Sequence, residues 1–231
     1  MRCQMKTEIE FLRITPDNVN QHLPSLIACY RSVYSTEPWR EWIFCPNCKR
    51  KWGEEDAGEL CKNQFHCPDC RLLLSDFWAS SKVGNDLLHE INYPHISFWI
   101  ALSGNAVVGF THGYGISPQN LESKLKLPGV AEAINKRFNF PELVIYQDEL
   151  GVVKEFRGAK IARQLVLRRP NDFMASGLTC GIIRTMSDPP SVTFSWYTEK
   201  LNYYVIAEYH DKGKRVVLAQ DLRDVARRLE V

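Results

Sequence analysis

Polar and apolar residues alternate through TEIEFLRI, residues 7 to 14, with the period of two that marks a half-buried strand. After TPDNVNQ the period lengthens. Leu23, Ile27, Tyr30 and Val33 recur at helical spacing and predict a first helix. A second amphipathic helix is expected in SDFWASSKVGNDLLHEIN, with Ser75 as its N-cap and Phe77, Trp78, Val83, Leu87 and Ile91 as its apolar residues. HISFWIALSGNAVVGFTHGYG carries two apolar runs around Ser103, Gly104 and Asn105, a hairpin signature. Its His112 and neighbouring glycines lack dinucleotide-binding spacing and read as an irregular strand end.

Residues 117 to 141 break the pattern, with turn residues at both ends and one short helix expected inside, and read as an irregular insert. ELVIYQDELGVV predicts a long strand, and the following turn feeds a helix that Pro170 should end near Arg169. LTCGIIRTM is a buried strand, and SDPPSVTFSWYTEKLN a proline turn running into a helix. YYVIAEYHDKGKRVVLAQDL gives a hairpin around DKGK, with Tyr203 and Tyr204 as sheet packing, and DLRDVARRLEV a last short helix. This order predicts an α/β (α+β) fold: a mixed, mostly antiparallel sheet flanked by helices.

At 231 residues, 45% hydrophobic and 24% charged, the chain can bury a full core and is not composed like a disordered one. A net charge of +2 disfavours a nucleic-acid partner, which would call for a basic excess or a clustered basic face. The N-terminal MRCQMKTEIEF lacks a signal-peptide core, and no apolar run is long enough to span a bilayer. A cytoplasmic protein with no membrane association is expected. In a reducing compartment the cysteines read first as metal ligands or buried thiols, and Cys29 and Cys180 fall in apolar patterns as packing groups.

Cys45, Cys48, Cys67 and Cys70 form two CPxC knuckles about eighteen residues apart. Each knuckle offers two thiolates from one tight turn, so the pair resembles a zinc ribbon, placed at residues 42–74 between the first two helices. Four thiolates leave no open position, which makes the expected Zn2+ structural. Cys61 and His66 are spare, and His66 reads as a surface or outer-shell histidine. Lys49, Arg50, Lys51 and Lys62 are offset by Glu54, Glu55, Asp56 and Glu59, which favours protein contact or structural support over nucleic-acid binding.

EFRGAKIARQL, residues 155 to 165, is a turn entering a helix, where unpartnered amides and the helix dipole favour an anion. With the strand before it, ELGVVKEFRGAKIARQL resembles the acetyl-CoA motif of the GNAT superfamily of N-acetyltransferases: Arg157, Gly158, Ile161, Ala162 and Arg163 fall in register. TEKLNYYVIAEY is similar to the segment that follows the family's penultimate helix, and the element order fits from residue 7 to about 220, leaving the cysteine module and residues 117 to 141 outside the family pattern. Lys160 stands where the family has its central glycine. Its ammonium can fold onto the phosphates it crowds, so a working cradle is expected.

The resemblance implies direct transfer of an acetyl group from acetyl-CoA to a primary amine, of a small molecule or a protein. It implies cofactor contacts from Leu150 and Val152 on the strand and from Arg157, Gly158, Ala159, Lys160, Ile161, Ala162 and Arg163 in the turn and helix. Glu149 is the expected base, Asp148 on the opposite strand face the fallback, and Tyr197 the candidate acid for the leaving thiolate, with Thr198 at the family's usual tyrosine position. The other reading is a GNAT-like scaffold with impaired chemistry whose ribbon binds a protein. The acceptor and the oligomeric state are not written in these residues.

Overall fold

A computed structural model describes residues 8–188, 190–210 and 214–229. The chain divides into two compact units. The first contains the chain up to Ile91 together with Ile100–Phe110 and Gly151–Ala162; the second contains Asn92–Trp99, Thr111–Leu150 and the chain from Arg163 onward.

Strand β1 (Ile9–Arg13) leads to helix α1 (Val19–Ser35), whose start is fixed by Asn18 Oδ1 accepting from Thr15 N at 2.8 Å. The cysteine module follows: β2 (Ile43–Phe44), β3 (Lys51–Trp52), the short helix α2 (Ala57–Lys62) and β4 (Ser75–Asp76), with β2 between the other two strands. Ser75 is therefore not a helix cap. It pairs with Phe44, and α3 (Ser80–Glu90) begins five residues later behind Ala79. The competing ladder of the module takes the backbone that a cap would have used.

Strands β5 (Ser97–Ser103) and β6 (Ala106–Ile116) meet at a turn where Gly104 holds φ +60°. Both are buried on both faces and so lack alternation, as central strands do. His112 lies inside β6, fully buried, and is not at an irregular strand end. Where one short helix was expected, residues 117 to 141 form two, α4 (Pro118–Leu125) and α5 (Val130–Phe138). Ser117 caps α4 by accepting from Asn120 N, and Leu121, Leu125, Val130 and Ile134 are buried.

Strand β7 (Val144–Val152) is followed by the turn and by α6 (Ile161–Ala175), which continues through Pro170 instead of stopping at Arg169. The lost N–H is one hydrogen bond. Against it stand Leu165, Val166 and Phe173, all essentially buried, and Asp172, which accepts from Ser97 Oγ at 2.6 Å and Trp99 Nε1 at 2.9 Å beyond the proline. Strand β8 (Cys180–Met186) precedes α7 (Val192–Ser195), which runs into a π-helical turn at Trp196–Lys200; β9 (Tyr204–Glu208), β10 (Arg215–Asp221) and α8 (Leu222–Leu229) complete the chain. Of the DKGK hairpin turn, residues 211–213 lie outside the described residues.

The seven-stranded sheet has the order β1-β5-β6-β7-β8-β10-β9. In the second unit one sheet face packs under α6, the 194–201 segment and α8 through Ile145, Ile183, Tyr203 and Leu218. The other packs under α4 and α5 through Tyr114, Val144, Tyr146, Ile182 and Val217. Among the described residues no helix is long and apolar enough to cross a membrane.

Candidate active site and cysteine centre

The two knuckles of the cysteine module are built alike. Cys45 N donates to Arg50 O at 3.0 Å and Lys49 N to Cys45 O at 3.0 Å; in the second, Cys67 N donates to Leu72 O at 2.8 Å and Arg71 N to Cys67 O at 2.9 Å. Each turn closes on a left-handed basic residue, Lys49 at φ +62° and Arg71 at φ +58°. The four Sγ atoms of Cys45, Cys48, Cys67 and Cys70 lie within 4.8 Å of one another, and Cys48 Sγ is 3.8 Å from Cys67 Sγ. A tetrahedral Zn–S bond of about 2.3 Å sets its sulfurs about 3.8 Å apart, so the donor set and its spacing fit that metal. Burial works to raise the Cys45 thiol, but N–H groups of Cys48 and Asn47 outweigh it and hold it at about 7. Cys61 is exposed and His66 Nδ1 pairs with Gln64 O at 2.9 Å; neither joins the cluster. The module's core is small: Ile43, Trp52, Leu60, Leu74 and two of the cysteines.

In the second unit β7 and β8 run parallel and pair only at Ile145 with Gly181 and Tyr146 with Ile182. The parallel ladder ends at Tyr146, and β7 runs on to Val152. Ile145 and Leu150 nevertheless pack into the same α6-side cluster although five residues apart, so the strict alternation of β7 slips by one between them. The slip is braced from β6 and from α6. Thr111 Oγ1 donates to Glu149 O at 2.8 Å, and Arg169 Nη1 is shared between His112 O at 3.3 Å and Glu149 O at 3.5 Å.

Arg169 itself is fully buried, donates from Nη2 to the Tyr197 hydroxyl at 2.8 Å, and leaves Nε without a partner among the described residues. Gln147 Nε2 donates to the Tyr203 hydroxyl at 2.6 Å while its Oε1 is also unpartnered there. Burial raises the Tyr197 phenol, with the Arg169 guanidinium acting in the opposite direction. Burial also pushes His112 down to about 4.

On the other face of β7, Asp148 accepts from the Tyr114 hydroxyl at 2.9 Å and from Lys124 Nζ at 2.9 Å. Burial would raise its carboxyl, but Lys124, His112 and Tyr114 outweigh it and keep it below the ordinary range. Tyr114 and Lys124 also line a cavity of ≈ 500 Å³ with Tyr93, Ile116 and Leu143. A carboxylate so held is a poor proton acceptor at neutral pH.

The first unit holds the turn. Val153 N donates to Val108 O at 3.0 Å, a single 3-10 turn follows at Lys154–Phe156, and α6 starts at Ile161. Gly158 has φ +83° and Lys160 φ +62°. A Cβ at Gly158 would meet nothing within 4 Å, so conformation and not space requires glycine there. Lys160 holds a left-handed backbone of the kind glycine adopts without strain, and it is exposed, as are Gly158 and Ala159. Arg157 turns back instead of outward: Nε donates to Val152 O at 3.1 Å, Nη1 to Glu37 O at 2.9 Å and Nη2 to Thr36 Oγ1 at 3.4 Å.

Ile161 is buried and Ala162 half-buried, and Arg163 Nη2 donates to Leu229 O at 3.1 Å. Leu150 and Val152 are half-buried on β7. Cys29 is a buried packing thiol, pushed to about 12, whereas Cys180 is only half-buried. Tyr203 packs in the core as expected, but Tyr204 is 44% exposed under the Arg137 guanidinium. Sequence reasoning missed Arg169, Gln147 and Thr111. Arg169 had a signal: it falls four residues after Leu165 and four before Phe173, on the apolar stripe of α6.

No family model and no curated protein matches the sequence. Solved structures do match the fold. A mosquito arylalkylamine N-acetyltransferase (like 5b) superposes with a TM-score of 0.56 at 12% identity, covering 93% of this chain and 100% of that one. The PaiA N-acetyltransferase from Thermoplasma acidophilum in complex with coenzyme A gives 0.51 at 15% identity, covering 93% and 99%. A Drosophila melanogaster polyamine N-acetyltransferase gives 0.51 at 12%, covering 93% and 100%. The chain has the GNAT fold.

Proposed function

We propose that this chain of the GNAT fold is an N-acetyltransferase that moves an acetyl group from acetyl-CoA to a primary amine in a ternary complex. The observation that carries the proposal is the end of the β7–β8 ladder after two paired residues, on a strand that leads into a left-handed turn and a helix start. A parted parallel pair offers unladdered amides and carbonyls to an extended arm such as pantetheine, and a helix start suits a pyrophosphate. The solved structure of the PaiA enzyme with coenzyme A supports the same ligand class.

In this reading Leu150 and Val152 line the arm and the amides from Gly158 to Ile161 take the pyrophosphate, with Lys160 adding charge. Glu149, directly or through water, removes a proton from the acceptor ammonium, whose nitrogen then bonds to the acetyl carbon as the C–S bond breaks; the second proton of that nitrogen passes to solvent as the amide forms. Tyr197, oriented by Arg169, supplies the proton to the departing sulfur. The Cys45, Cys48, Cys67 and Cys70 set holds Zn2+ as a structural ion and takes no part in these steps. The acceptor belongs among primary amines of small molecules, polyamines or peptides.

Calorimetric titration of the zinc-loaded protein with acetyl-CoA is the first test, beside Gly158→Val, which cannot relax at φ +83°. Micromolar binding, weakened in the variant, is expected; no binding by the folded wild type would end the proposal. A panel of arylalkylamines, polyamines and peptide N-termini then seeks turnover, which Glu149→Gln should lower about a hundredfold with acetyl-CoA affinity unchanged.

A further inference from the structure

Arg157 was expected to face phosphate, yet each of its three nitrogens donates to the first unit's own chain: to Val152 O at the end of β7, to Glu37 O and to Thr36 Oγ1. Thr36 and Glu37 are the first residues after α1, on the stretch that leads into the cysteine module. That stretch is tied to the module. Arg40 Nη2 meets Asp56 Oδ2 at 2.6 Å and Arg40 Nε meets Glu55 Oε1 at 2.6 Å, at the start of the module's helical turn. Lys51 on β3 meets Glu41 at 2.6 Å, and Trp42 donates to Trp52 O at 3.0 Å while accepting from Phe77 N at 3.0 Å. Glu41 N closes the stretch back onto α1 through Tyr34 O at 2.7 Å. A continuous set of bonds thus joins the four-cysteine cluster to the turn ahead of α6.

We infer that Arg157 is a positioning residue that ties this turn to the cysteine module, so that metal binding in the module sets the order of the turn and its hold on the acetyl-CoA pyrophosphate. The affinity part rests on the function proposed above; the ordering part does not. A lobe with so small a core depends on its metal for order, and when it unfolds Arg40, Glu41 and Trp42 lose their anchors in the module, so that Glu37 is held only through its neighbours' bonds to α1. The guanidinium then grips a less firmly fixed carbonyl at Glu37. Lysine is no substitute, because one ammonium cannot reproduce a planar fork whose three nitrogens point at three acceptors.

The test uses the full chain as wild type, Arg157→Lys and Arg157→Ala, each zinc-loaded and each stripped by chelator that is then removed. Acetyl-CoA is titrated calorimetrically into all six samples, and amide exchange is followed over residues 154–160, with β8 as the internal control for global unfolding. Stripping the wild type is expected to weaken acetyl-CoA about tenfold, within the usual range of coupling between sites, and to speed exchange in the turn but not in β8. Both variants are expected to bind about tenfold more weakly even with zinc and to lose less than about twofold more on stripping. Unchanged affinity and exchange in stripped wild type overturns the inference, as does full zinc dependence in Arg157→Ala. Wild-type behaviour in Arg157→Lys overturns it too, since charge and not the fork would then be what matters. Should zinc-loaded wild type bind no acetyl-CoA, the proposed function and the affinity part both fall, and the exchange data alone decide whether Arg157 transmits order.

Discussion

The cysteine module and the buried polar row of the second unit both place water-loving groups where a chain would normally place carbon, and they stabilise them differently. In the module four sulfurs converge within 4.8 Å and only a handful of apolar side chains cover them, so its cohesion falls to the proposed cation. In the second unit Arg169, Gln147, His112, Tyr197 and Tyr203 are buried beside a sheet whose two faces are covered by apolar clusters. Their cohesion comes from apolar cover, and the polar groups are tolerated because carbonyls and hydroxyls meet most of them. One region is a small core held by chemistry. The other is a large core that shelters polar groups.

The widest test of that contrast is Cys67→Ser. Structural zinc supplies about 10–16 kcal/mol in isolated finger peptides, far more than the module's few buried side chains can replace. Amide protection across β2, β3 and β4 is expected to vanish in the variant while β8 and β10 keep theirs. A module still protected without Cys67 would show that its apolar core suffices.

The second test acts on the other region. His112 is held at about 4 against an ordinary 6.5, and the groups that face it are Phe98, Asp148, Arg169 and Lys124. The folded protein resists protonating it, whereas the unfolded chain binds a proton below about 6.5. Its contribution is therefore complete above that pH and is lost as pH falls toward 4. Asp148, depressed below its ordinary 3.8, keeps its contribution above that value and loses it only in stronger acid. Urea unfolding at pH 7 and pH 4.5 should differ by about 2 kcal/mol more in wild type than in His112→Phe. Equal differences in the two proteins would mean that the imidazole is not excluded from protonation.

The two regions were also unequally legible in the sequence. Cysteine identity and spacing announce the module, because only a few residue types bind zinc and a knuckle needs its pair two residues apart. The proposed site on β7 depends on where its ladder with β8 ends, and no residue type encodes that. The resemblance at residues 149 to 163 is what points to it; the slip between Ile145 and Leu150 and its brace by Arg169 became visible only with α6 packed in place. Pro170 and Ser75 misled for a related reason: a local preference worth one hydrogen bond or one cap yielded to tertiary packing and to the ladder of β4.

The finest test asks whether backbone or metal decides the conformation of a knuckle. Lys49 and Arg71 are left-handed in the module as Lys160 is in the turn, and each costs about 1 kcal/mol relative to a glycine at the same φ. Glycine would remove that strain but leave a looser unfolded chain, which takes back about 0.5–1 kcal/mol. Lys49 also donates from Nζ to Pro46 O at 2.6 Å, an exposed bond the variant would lose. Lys49→Gly is thus expected to move the chelator concentration at half-unfolding of the module by less than about fivefold, because thiolate–metal bonding outweighs the terms that change. A shift of a hundredfold in either direction would mean that the turn is preorganised by its own backbone and that the cation only reports on it. The module would then resemble the second unit, with its chemistry resting on a frame that stands without it.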